Sequence, residues 1–101
     1  MRTSTIAAIA SPPGTGAVAL LRLSGPEARP IAALVFTGRP AESWIPRQQH
    51  FGTVRDREGE TLDEVLLTYF PRPGSFTGEE VVEIACHGGV LVTRRILDAL
   101  L

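Results

Sequence analysis

The sequence predicts an α+β fold: a mixed, largely antiparallel five-stranded sheet with helices packed on it. Three observations carry this expectation. The runs 5–10, 17–24, 50–55, 62–70 and 81–86 are short, apolar and β-prone, and Pro- and Gly-containing turns or loops separate them. The stretches 26–36 and 90–101 instead repeat apolar residues at helical spacing. Between two of the β-prone runs, Asp56-Arg57-Glu58-Gly59 is a polar turn ending in glycine, the signature of a hairpin.

Taken in order, Thr5 to Ala10 is the first strand, and Ser11-Pro12-Pro13-Gly14-Thr15-Gly16 forbids regular structure and returns the chain. Ala17 to Ser24 follows as a nearly continuous apolar strand. Val18, Leu20 and Arg22 fall on one face, and Ala17, Ala19, Leu21 and Leu23 on the other. Ser24 and Glu27 have the spacing of a capping box, with Pro26 tolerated in the first turn, so a helix is expected from Pro26 to about Phe36. Pro30 removes a backbone donor and is expected to kink or loosen its start. Ile31, Leu34 and Val35 should face the sheet, and Gly38 should stop the helix.

Arg39 to Arg47 reads as a loop anchored by Trp44 and Ile45. His50 to Arg55 and Leu62 to Phe70 form the hairpin, and Pro71 to Ser75 is an irregular connection to the strand Val81 to Cys86. Gly88-Gly89 turns the chain into a last helix, with Val90, Leu91, Arg94, Leu97 and Leu100 at helical spacing. That helix reaches Leu101 without a capping glycine or polar tail, from which a longer polypeptide is expected.

Composition narrows the function. The 101 residues fit one domain, and 44% hydrophobic with 21% charged residues is ordinary for a globular chain. A net charge of −1 gives no electrostatic footprint for nucleic acid or an anionic membrane. All ten basic residues are Arg, and a phosphate-binding P-loop needs Lys. The single cysteine, Cys86, excludes an internal disulfide and a Cys-based zinc site, and it fits a reducing compartment, by default the cytosol. The amino terminus lacks a signal-peptide apolar region, and no run approaches the ~18 apolar residues of a membrane span.

The anomaly lies in the strands. Glu83 stands where a buried strand would carry another Val or Ile, and Arg22 interrupts a second apolar strand. Two readings fit. In one, they form a buried ion pair joining two strands. In the other, Glu83 accepts two parallel hydrogen bonds from a flat heterocycle presenting a ring N–H beside an exocyclic amine, as a pterin or guanine does, while Arg22 meets a carbonyl or carboxylate of that ligand.

Other motifs yield to plainer readings. Cys86 and His87 are adjacent on a strand and point to opposite faces, which defeats a thiol-protease pair. His87-Gly88-Gly89 lacks the G-x-S-x-G elbow of an esterase, and His50 is too isolated to join His87 on a metal. No catalytic residue and no metal ligand is expected here.

The segments Ala10 to Gly25, Phe70-Pro71 through Ser75-Phe76-Thr77-Gly78-Glu79-Glu80-Val81-Val82-Glu83, and His87-Gly88-Gly89 together resemble the N-terminal domain of the TrmE (MnmE) tRNA-modification GTPases. The resemblance covers essentially the whole chain. It implies a tetrahydrofolate-binding domain, similar in fold to the folate-binding part of glycine-cleavage T-proteins, that also forms a homodimer. It places Arg22 and Glu83 on the family's folate-contacting positions, with 5-formyl- or 5,10-methylene-tetrahydrofolate as the ligand. It further implies that the full-length protein, with a flavin-dependent partner of the GidA/MnmG type, modifies the wobble uridine of tRNA. GTP, magnesium and potassium belong to a GTPase domain that would lie beyond Leu101, as would the lysine completing the folate site and the C-terminal cysteine motif.

Overall fold

The computed structural model describes residues 4–10, 18–72 and 78–101. The turn expected at Ser11 to Gly16 and the Ser75-Phe76-Thr77 part of the family motif lie outside these residues. The elements are β1 (Ile6–Ile9), β2 (Val18–Ser24), α1 (Ala28–Val35), β3 (Phe36–Thr37), a 3-10 turn (Ala41–Ser43), β4 (Gln49–Arg55), β5 (Thr61–Phe70), β6 (Val81–His87) and α2 (Val90–Leu100).

Six strands, not five, form one sheet in the order β1-β2-β6-β5-β4-β3, and every neighbouring pair is antiparallel, so the sheet is not mixed among the described residues. The additional strand arises where the helix ends earlier than expected: Phe36 leaves it in extended conformation, and Phe36 and Thr37 pair with Val54 and Thr53. Gly52 makes this edge possible, since a Cβ there would stand 2.5 Å from the Phe36 ring.

Both helices pack on one face of the sheet. Ala28, Ala32 and Val35 of α1 and Ile96 and Leu100 of α2 join Leu21, Leu23, Val54, Val65, Leu67, Tyr69, Val82 and Ile84 in a single core. This is the alternation expected of a two-layer fold: in β2, Ala19, Leu21 and Leu23 are buried while Val18, Leu20 and Arg22 face away, and only the last residue, Ser24, breaks the pattern by being buried too. Trp44 is buried against Phe36 and Tyr69, and its Nε1 donates to the Arg39 carbonyl at 2.8 Å. Ile45, expected as a second anchor, is exposed. The buried His50 ties that loop down instead, because its Nε2 accepts the Ile45 N–H at 3.0 Å.

The helices differ from expectation in three details. The capping box does not form, because Ser24 is still part of β2; its hydroxyl donates to Glu79 Oε1 at 3.2 Å, and the Glu27 N–H is satisfied by Thr5 Oγ1 at 2.8 Å. Pro30 is the third residue of α1, inside the first turn, where a backbone N–H has no helical acceptor to lose. The buried faces are also rotated. Leu34 is 86% exposed and Val90 and Leu91 are exposed, while Ala32 and Thr93 face the sheet. Among the described residues no helix is long and apolar enough to cross a membrane.

Candidate functional site

Arg22 and Glu83 occur at matched positions of β2 and β6, and antiparallel pairing sets them directly opposite each other. Both lie on the face away from the helices, with Thr68 of β5 next across the sheet from Glu83. Arg22 Nε donates to Glu83 Oε2 at 3.0 Å and Arg22 Nη2 donates to the same oxygen at 2.5 Å. The Glu83 side chain is only 16% exposed and that of Arg22 is 36% exposed.

The two donors converge on one carboxylate oxygen. No described residue donates to Oε1 of Glu83. Because no buried side-chain polar atom lacks a partner among the described residues, Oε1 reaches the surface. A carboxylate has about four acceptor positions, so this group, held by a cation on one side, retains capacity for further donors. The remaining acceptor capacity is on Oε1, because Oε2 already takes both Arg22 donors.

Along β6 the same face continues through Ala85 to His87, which alternate with the buried Ile84 and Cys86. The opposite-face placement of Cys86 and His87 follows the sequence reading. Sequence reasoning missed the partner of His87: Asp63 at the start of β5 accepts the His87 backbone N–H at 2.7 Å and the ring Nδ1–H at 2.7 Å. The two residues are 24 positions apart, and only the pairing of β5 with β6 brings them together.

On the helix side, burial pushes the Cys86 thiol up, the nearby Asp63 carboxylate adds to this, and a hydrogen bond with Thr93 partly offsets it. Burial also raises the Tyr69 hydroxyl, with the Glu80 carboxylate adding to it, although Arg29 lies over the Tyr69 ring at 5.3 Å. Neither group opens toward the Arg22–Glu83 face.

A family model described as GTP-binding protein TrmE N-terminus matches residues 5–101. The chain belongs to this family. TrmE relatives named tRNA modification GTPase MnmE align along nearly all of it. The protein from Chlamydia felis is 47% identical over 99% of this chain, that from Chloroflexus aurantiacus 48% over 96%, and that from Marinobacter nauticus 48% over 98%. The alignments cover 22%, 22% and 20% of those proteins, so the chain spans about a fifth of the length of the curated relatives it matches. This is the N-terminal domain of the MnmE family, and the strand-borne Arg22–Glu83 pair belongs to it.

Proposed function

We propose that this domain is the tetrahydrofolate-binding and homodimerising module of a cytoplasmic tRNA-modification GTPase. The observation that supports it is the half-engaged carboxylate: Arg22 bonds Glu83 through Oε2 alone, and the group lies in a largely covered position on the open sheet face. A reduced pterin presents a ring N–H beside an exocyclic amine, and Glu83 Oε1, with two acceptor positions left, can take these neighbouring donors while the pterin carbonyl suits the guanidinium. The fold similarity to glycine-cleavage T-proteins is part of the same reading, as are 5-formyl- or 5,10-methylene-tetrahydrofolate as the ligand form. Nucleotide hydrolysis, with magnesium and potassium, would reside in a separate domain of the full-length protein. That protein would act with a GidA/MnmG-type flavin-dependent partner on the wobble uridine of tRNA.

Self-association is supported by the apolar side chains that one chain leaves uncovered, Leu34, Val90 and Leu91 among them. A stable homodimer needs to bury on the order of 1,600 Å2. A second reading, a dimerisation module in which Arg22 and Glu83 only cross-link β2 to β6, is favoured by the direct bonds between them. Equilibrium dialysis against 5-formyltetrahydrofolate, with sedimentation of the same sample, separates the two. Saturable binding by a dimer is expected, whereas a dimer that takes up no folate leaves the structural reading, and a monomer at high micromolar concentration removes the dimer role.

A further inference from the structure

The open face of the sheet is covered at one end, one rung from the Arg22–Glu83 pair. Register sets Ser24 opposite Val81, two residues along from Arg22 and Glu83 on their strands, and alternation puts all four on the face away from the helices. Ser24 is 9% exposed and Val81 is fully buried, although Val81 is not among the residues of the helix-side core. The cover therefore comes from the open side. Glu79 supplies part of it, because Ser24 Oγ donates to Glu79 Oε1 at 3.2 Å. Glu80 pins the same segment through its backbone: its carbonyl accepts the Gly25 N–H at 2.9 Å, which extends the β2–β6 ladder by one residue pair. Gly78, at φ 77°, gives the chain the left-handed backbone with which it enters this segment.

This contact brings a second carboxylate to the neighbourhood of one guanidinium. Two residues of strand span about 7 Å, so the Glu79 carboxylate, held on Ser24, stands one rung along from Arg22, while Glu83 stands directly across from it. Arg22 has one carboxylate across the sheet and another along it.

We propose that Ser24 and Glu79 are positioning residues for the Arg22–Glu83 pair: the Ser24 hydroxyl fixes the Glu79 carboxylate, and that charge keeps the Arg22 guanidinium from turning onto both oxygens of Glu83. The inference rests on the folate reading above. Coulomb attraction toward Glu79 opposes the forked arrangement that Arg and a lone carboxylate otherwise adopt. The observed geometry fits this balance, since Arg22 Nε and Nη2 both go to Glu83 Oε2 and leave Oε1 to a ligand. Two carboxylates and one guanidinium also give the two rungs a net negative charge, which suits a ring edge made of N–H donors.

The test is calorimetric titration of 5-formyltetrahydrofolate into the full-length protein, with thermal melts of each variant. Glu79→Gln keeps the shape and removes the charge, Ser24→Ala keeps the charge and releases it, and Ser24→Thr keeps the hydroxyl on a side chain that suits a strand. Glu79→Gln and Ser24→Ala are each expected to weaken binding by about tenfold, and Ser24→Thr to bind within about twofold of the wild type. Because both changes act through one contact, the double variant should also lose only about tenfold. A merely structural tie between β2 and β6 would lower Tm and leave affinity unmoved, and that result overturns the positioning role while the folate reading stands. A loss of about a hundredfold in the double variant, the product of two independent effects, overturns it as well. Failure of the wild type to bind the probe overturns the folate reading and this inference with it.

Discussion

Arg22 and Glu83 are cross-strand partners whose guanidinium and carboxylate meet at a single oxygen, Glu83 Oε2. Arg–carboxylate pairs are frequently forked across both oxygens, and this pair is not. Here the guanidinium occupies half of the carboxylate and orients the rest.

That geometry sets the stability cost of removing the cation. With its side chain 36% exposed, Arg22 is screened by solvent, and Arg22→Met is expected to lower unfolding free energy by about 1 kcal/mol or less in urea titrations. A loss of about 3–5 kcal/mol would instead mark the pair as a buried structural bridge.

The core lies where β5 and β6 meet. Leu67 and Ile84 are register partners, both fully buried. Leu67→Ala is expected to cost about 3 kcal/mol, and a double-mutant cycle with Ile84→Val should show coupling of at least about 0.5 kcal/mol. Leu34→Ala, on the exposed side of α1, should change stability by less than about 0.5 kcal/mol. Equal losses at Leu34 and Leu67 would contradict the observed helix rotation.

Gly52 allows the Phe36 ring to lie across the sheet edge, so Gly52→Ala should displace that ring. The expected cost is about 1–3 kcal/mol, read by chemical denaturation, with near-ultraviolet circular dichroism reporting a change around the adjacent Trp44. An unperturbed Trp44 signal would argue against the β3 pairing.

The raised pKa values of Cys86 and Tyr69 give stability an alkaline dependence. Both groups are neutral when protonated and are raised in the folded state, so the folded protein holds its protons longer. Their contribution is complete below the unfolded pKa values and is lost as pH rises past them to the higher folded values, first for Cys86 and then for Tyr69. Cys86→Ala should flatten the first part of that decline, although the truncation itself lowers stability at every pH. In the native state Cys86 should resist alkylation at pH 8, and iodoacetamide labelling should appear only on unfolding.

The strands and their hairpin are legible in the sequence because β2 and β6 are apolar runs broken by one charge each, and because Asp56 to Gly59 is an unambiguous turn. Opposite charges inside two such runs also pointed to a pairing that the register supplies. Three features were not legible, for physical reasons. β3 is two residues long and its Phe36 continues the apolar pattern of the helix before it. The rotation of α1 depends on Ala28 and Ala32, whose small side chains give little hydrophobic signal beside Leu34, yet allow close approach to the sheet. The Asp63–His87 contact exists only through the pairing of two strands, so no local spacing announces it.

The most direct test of the central claim is calorimetric titration of 5-formyltetrahydrofolate into the wild type and Glu83→Gln, with thermal melts of both. The substitution keeps the shape and removes the charge and one acceptor. Affinity lower by about tenfold or more is expected, with Tm within about 5 °C of the wild type. Unchanged affinity alongside a Tm lowered by about 15 °C or more would contradict it and leave Glu83 as a structural partner of Arg22.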